Sequence, residues 1–193
     1  MPAMELSRDR TALIVVDMQN SFCADEGGCG KPGLPIQNLQ AAIEPCVRLV
    51  AAARAATIPV IYTRYLYRPD YADGGTMIKY MLSELKDVKA LQAGTWDVEV
   101  IPELAPRDDD FIVDKNRPSS FYATNLETIL NGLEADSLVV CGVTTNCCVE
   151  STVRDASQRD YKTFVVQDAV AELDDERHQV ALRSMDMLFA DLK

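Results

Sequence analysis

The hydrophobic positions of this chain alternate between two rhythms. Thr11–Val16 (TALIVV) is a short apolar run ending at Asp17, followed by polar residues and a Gly-rich stretch through Gly33; it predicts a buried parallel strand. From Leu34 to Thr57 the apolar residues Ile36, Leu39, Ile43, Val47 and Val50 recur every three or four positions, which predicts an amphipathic helix. Ile58–Thr63 (IPVIYT) reads as a second strand, with Pro59 near its start, where a missing N–H is tolerated. The alternation continues with strands at Phe111–Asp114, Ser137–Cys141 and Lys162–Val166. Helices are predicted at Ala123–Gly132, Asn146–Arg159 and Asp174–Ala190. Tyr65–Leu104 follows neither rhythm. Its aromatics, Gly74-Gly75, Gly94 and a short helix near Met77–Leu85 read as an insertion that walls a pocket. Strands alternating with helices at this spacing predict an α/β fold with a parallel sheet covered on both faces. The length of 193 residues suits one domain, 1–193.

Charge narrows the partners. A net charge of −11 repels phosphate backbones and anionic membrane surfaces, so neither nucleic acid nor a membrane is expected. The opening MPAMELSRDR lacks an apolar signal core, and no run approaches the roughly 20 apolar residues of a membrane span, so a cytoplasmic protein is expected. The six cysteines (Cys23, Cys29, Cys46, Cys141, Cys147, Cys148) then read as free thiols. There is no C-x-x-C pair, and the single histidine, His178, lies far along the chain from every cysteine, so no metal is expected.

In open parallel sheets ligands bind beyond the carboxyl ends of the strands. The polar residues at those ends are Asp17, Arg64, Lys115 and the segment GVTTNCCV after SLVVC. A cysteine becomes nucleophilic where its thiolate is favoured, and the first turn of a helix does this. Thr145 and Asn146 are good N-cap types, which puts Cys148 in that turn. Cys147 is its rival, but adjacent helical residues point about 100° apart, so only one is expected to face a pocket. His178 shares a register with Ala181, Leu182 and Met185 and reads as a core histidine, which leaves a carboxylate to take the thiol proton and a lysine to hold the charges together. Asp17 and Lys115 fit those tasks. The bland alternatives stay open: a small core cysteine, a loop-capping aspartate and a solvated lysine.

The blocks IVVDMQNSF, VDKNRPSSFYATNL, CGVTTNCCVESTVRDA and VVQDA occur in the order and spacing of the isochorismatase-like cysteine hydrolases, and the chain resembles that family over nearly its whole length. The resemblance implies a three-layer α/β/α sandwich on a parallel sheet of five or six strands, order 3-2-1-4-5-6; with the sequence stopping at Lys193, the last edge strand is expected to be very short or missing. It implies Asp17 as general base, Lys115 as charge-holding lysine and Cys148 as nucleophile. It further implies a non-proline cis peptide at Val143–Thr144, with the Thr144 and Cys148 amides forming an oxyanion hole.

Within the family, Cys148 argues against isochorismatase-type vinyl-ether chemistry, and the missing histidines argue against a metal-dependent nicotinamidase. TTNCCVESTVRDA and GTWD (Gly94–Asp97) are most similar to the branch of ureidoacrylate amidohydrolase, biuret hydrolase and N-carbamoylsarcosine amidohydrolase. KNRPSSF departs from the KPRYSGF pattern of that branch. The implied reaction is amide or ureido C–N hydrolysis through a thioester, without a cofactor, in a homodimer or homotetramer. Phe22, Trp96 and Tyr122 are pocket candidates for a planar amide, and Arg64 and Arg117 for a substrate carboxylate; packing and surface charge are the plain alternatives. Two other readings stay in play: a thiol redox protein built on Cys147-Cys148, Cys23 and Cys29, and a non-catalytic small-molecule binder.

Overall fold

All six residues of β1 (Thr11–Val16) are buried, as a strand flanked on both edges and covered on both faces must be. The computed structural model describes residues 4–193. β1 pairs in parallel with β2 (Val60–Tyr65) on one side and with β4 (Ser137–Val143) on the other. β3 (Phe111–Lys115) lies outside β2, and β5 (Lys162–Ala171) and β6 (Asp191–Leu192) lie outside β4. The sheet is six-stranded, order β3-β2-β1-β4-β5-β6, as the resemblance implied. The strand order reverses between β1 and β4, the place where such sheets open a crevice.

The main helices are α1 (Ile43–Ala55), α2 (Leu126–Gly132), α3 (Glu150–Ser157) and α4 (Asp175–Leu188). The helix expected from Leu34 begins instead as a tighter 3₁₀ stretch, Ile36–Ala42, and becomes regular at Ile43. Pro45 explains the boundary: with no N–H it suits the first turn of an α-helix and would break the ladder farther in. β5 runs five residues past the expected Val166. Its register against β4 shifts between Val140↔Val165 and Gly142↔Val170, so the exposed Gln167 and Asp168, which look like a strand end, belong to an irregularity inside it.

The segment between β2 and β3 carries the expected short helical turns, at Met77–Met81 and Glu84–Asp87. It is fastened to the tip of β1 by buried amides. Gln19 Nε2 donates to Tyr65 O and to Val98 O, both at 3.0 Å, and Gln19 Oε1 accepts from Tyr65 N at 2.7 Å. Asn20 Nδ2 donates to Trp96 O at 2.8 Å, and the Asp97 carboxylate accepts from Gly28 N and Leu91 N, each at 2.6 Å. Gly142 in β4 has φ +111°, and a Cβ there would stand 2.1 Å from Val16 O; only glycine lets β4 approach β1 this closely. Among the described residues no helix is long and apolar enough to cross a membrane.

Candidate active site

Asp17 follows the last residue of β1 with φ +51°, a left-handed conformation uncommon outside glycine and one that recurs at functional positions. The turn directs its carboxylate under the tips of β2 and β3. Thr63 Oγ1 donates to Asp17 Oδ1 at 2.6 Å, and Lys115 Nζ, at the end of β3, lies 2.7 Å from Asp17 Oδ2. Both charged side chains have no exposure. Among the described residues, Asp17 Oδ2 has no aligned hydrogen-bond donor beyond this ion pair, so a buried carboxylate oxygen keeps an open lone pair.

Lys115 is held on all sides. Its Nζ donates to Pro118 O at 3.1 Å and Arg117 O at 3.3 Å and sits 4.3 Å from the centroid of the Tyr65 ring. Burial pushes its pKa down, but the Asp17 carboxylate in contact with the ammonium and the Cys148 sulfur nearby outweigh burial and leave it raised. Tyr65 is itself fixed by Tyr67, whose hydroxyl donates to the Tyr65 hydroxyl at 2.8 Å.

Cys148 approaches this pair from the far side of the strand-order reversal. After the cis peptide Val143–Thr144, the chain forms a wide turn over Thr145–Val149 before α3, closed by Val149 N donating to Thr144 O at 3.1 Å. The expected side-chain cap from Thr145 or Asn146 does not form. Thr145 Oγ1 instead shares a 2.9 Å hydrogen bond with His178 Nδ1, and Asn146 N donates to Glu172 Oε2, from the turn after β5, at 2.8 Å. His178 is half-buried and engaged there, away from Asp17 and Lys115.

Cys148 forms part of the wall of a cavity of about 260 Å³, and the Lys115 and Asp17 charges both act on its sulfur. Cys147 is on the same wall, which corrects the expectation that only one of the two thiols could face a pocket: in the wide turn both do. The neighbouring Cys147 thiol, then burial, then the Asp17 carboxylate hold the Cys148 thiol well above its ordinary range, with Lys115 pulling the other way. The other thiols differ in kind. Burial pushes Cys23 and Cys29 up to about 12, and Cys46 and Cys141 are wholly buried.

Of the residues expected to bind substrate, Phe22 lines the cavity; Arg64, Trp96, Arg117 and Tyr122 do not. Arg64 faces Asp114 across the β2–β3 register and pairs with it at 2.8 Å, with Glu99 3.6 Å away. Arg117 donates to Asp73 O at 2.9 Å. Trp96 and Tyr122 are exposed on the surface. Thr144 lines the cavity beside Cys148. The sequence reading passed over Thr63, Tyr65 and Gln19, although Thr63 and Tyr65 stand at the carboxyl end of β2, where polar tips were already suspect. It also passed over Glu172, which lines the cavity and had no signal beyond following β5. Among the described residues no three His, Cys, Asp or Glu side chains gather as metal ligands would.

The isochorismatase domain model matches residues 11–192. The ureidoacrylate amidohydrolase RutB of Methylorubrum extorquens is 36% identical, with 94% of this chain and 78% of that protein aligned. A cysteine hydrolase from Pseudomonas syringae pv. phaseolicola 1448A superposes with a TM-score of 0.89 at 34% identity, over 98% of this chain and 91% of its own. The N-carbamoylsarcosine amidase of Thermoplasma acidophilum does so with a TM-score of 0.76 at 29% identity, over 95% of each chain. With the domain model covering all but the ends, the sheet order matching and a relative above one-third identity, this chain belongs to the isochorismatase domain family.

Proposed function

We propose that the chain is a cysteine-dependent amidohydrolase that cleaves a C–N bond of a small ureido, carbamoyl or carboxamide substrate. The observation that carries the reading is the buried Lys115–Asp17 pair, whose carboxylate keeps an open lone pair and whose charges act on a cavity-lining cysteine. A raised thiol needs a base at the moment of attack, and Asp17 is that base. Asp17 takes the Cys148 proton as sulfur attacks the carbonyl carbon, and Lys115 holds the carboxylate and the thiolate together. The tetrahedral intermediate collapses as the leaving ammonia or amine takes the proton back from Asp17, leaving a thioester. Water, deprotonated by the same carboxylate, then hydrolyses the thioester and the proton returns to sulfur. The Thr144 and Cys148 amides serve the developing oxyanion, a role in which loss of one donor typically slows turnover by about 10²–10³-fold.

Cys148 is favoured over Cys147 as the nucleophile because its sulfur, and not that of Cys147, is among the groups that raise the Lys115 ammonium. The names of the relatives, an amidohydrolase acting on ureidoacrylate and an N-carbamoylsarcosine amidase, support the amide or ureido class. A homodimer or homotetramer belongs to the same proposal; exposed Tyr80, Met81, Trp96 and Tyr122 offer apolar surface for it, and light scattering on the purified protein measures it. The test of the reaction is ammonia release from ureidoacrylate, biuret, N-carbamoyl amino acids, maleamate and nicotinamide. Turnover of at least one, abolished by Cys148→Ala and retained by Cys147→Ala, is expected. Activity that survives Cys148→Ala overturns the reading.

A further inference from the structure

The sequence suggested two arginines for a substrate carboxylate, yet both are engaged outside the cavity, Arg64 with Asp114 and Glu99 and Arg117 with the Asp73 carbonyl. The cavity wall is instead mostly apolar, with Phe22, Leu34, Met77, Leu82, Leu91 and Leu173; its neutral polar members are Tyr65, Tyr67, Thr144 and Asn146. Its charged members are Glu172 and Arg177. Arg177 is largely exposed and already paired with Asp174 at 3.0 Å, while both Glu172 oxygens accept backbone N–H groups, from Asn146 and Leu173. The Asp17 and Lys115 charges cancel. A carboxylate entering this space would leave water for mostly apolar carbon and, among the described residues, meet no cation that is not already paired, inside a chain of net charge −11.

We infer that the site takes an uncharged primary carboxamide or urea with a small apolar substituent, which the leucine, methionine and phenylalanine side chains enclose. This rests on the amidohydrolase reading and narrows its substrate. The cavity volume of about 260 Å³ lies just under the range of roughly 300–1,000 Å³ usual for ligand sites, so the substituent is short.

The test is a matched series, acetamide, butyramide and hexanamide, set against adipamate, which has the hexanamide skeleton with a carboxylate in place of the terminal methyl. Burial of methylenes predicts kcat/KM rising about fourfold per added CH₂. Hexanamide is expected to exceed adipamate by at least about tenfold, and Leu34→Arg, which puts a free cation on the wall, to lower that ratio by a similar factor. A flat series, or a preference for adipamate, with turnover still dependent on Cys148, overturns this inference and leaves the hydrolase standing. If no member of the series or of the ureido panel is hydrolysed, the hydrolase reading falls. The apolar site is then judged on the Cys148→Ala protein by the rise in Tm with each ligand at equal concentration. A larger rise with hexanamide than with adipamate supports it, and equal rises or a larger rise with adipamate overturn it.

Discussion

A carboxylate and an ammonium stripped of all water tolerate each other only if neither is removed. Lys115→Met leaves Asp17 charged and buried with only the Thr63 hydroxyl, and a loss of about 3–5 kcal/mol in urea unfolding is expected. Adding Asp17→Asn to that variant should recover a large part of the loss, since the remaining pair is then neutral. Asp17→Asn alone separates base from electrostatics at Cys148. The carboxylate helps hold the thiol up and Lys115 pulls it down, so its removal shifts the midpoint of iodoacetamide labelling of Cys148 to lower pH. Ammonia release should nonetheless fall by about 10²-fold or more, because the proton acceptor is gone. A labelling midpoint that stays put or rises would show that the carboxylate does not act on the sulfur. Asp17 and Lys115 were legible in the sequence because they stand at the carboxyl ends of predicted strands, and Cys148 because it falls in the turn that opens the helix after the strand SLVVC. The arginines were misleading for an equally local reason: Arg64 lies opposite Asp114 only once β2 and β3 adopt their register, and no spacing along the chain reveals that.

At the scale of elements, the sheet is held to one geometry at the β1–β4 contact. Gly142→Ala puts a methyl 2.1 Å from the Val16 carbonyl at φ +111°, so the strands must part immediately before Asp17 on one side and the Cys148 turn on the other. The variant is expected to lose several kcal/mol of stability, read as a fall in Tm of about 10 °C or more, and to lose ammonia release even where it folds. The central strands β1, β2 and β4 were readable because their apolar runs are buried on both faces. The helix before β2 was readable in its periodicity but not in its start, which Pro45 sets. The wide turn at Cys147-Cys148 was not readable at all, since it depends on Glu172, arriving from β5, to accept from the Asn146 amide. The insertion stayed opaque because side-chain amides and carboxylates from distant positions, not hydrophobic periodicity, fix its path.

For the molecule as a whole, the buried thiols set an alkaline limit. Cys23 and Cys29 have an ordinary value of 9.0 and about 12 in the fold, because burial disfavours the thiolate. The folded state therefore keeps these protons to higher pH than the unfolded chain does. Their contribution is fully present below about pH 9 and is lost as pH climbs towards 12. Tyr62 and Tyr71, raised by burial from 10.0 to about 12, act in the same direction. The urea midpoint is expected to be level from pH 7 to 8.5 and to fall steadily above 9, and Cys23→Ala with Cys29→Ala should flatten the fall. The side chain of Gln19 bears on the whole molecule in a different way. It acts as one more peptide unit, spanning the tip of β2 and the wall segment at Val98. Exchanging that wall with another protein of the fold, to alter which molecules are admitted, would therefore require the incoming loop to present a carbonyl where Val98 now does. Without it the graft would also loosen the β2 end that carries Thr63 and Tyr65, so selectivity and reactivity would change together.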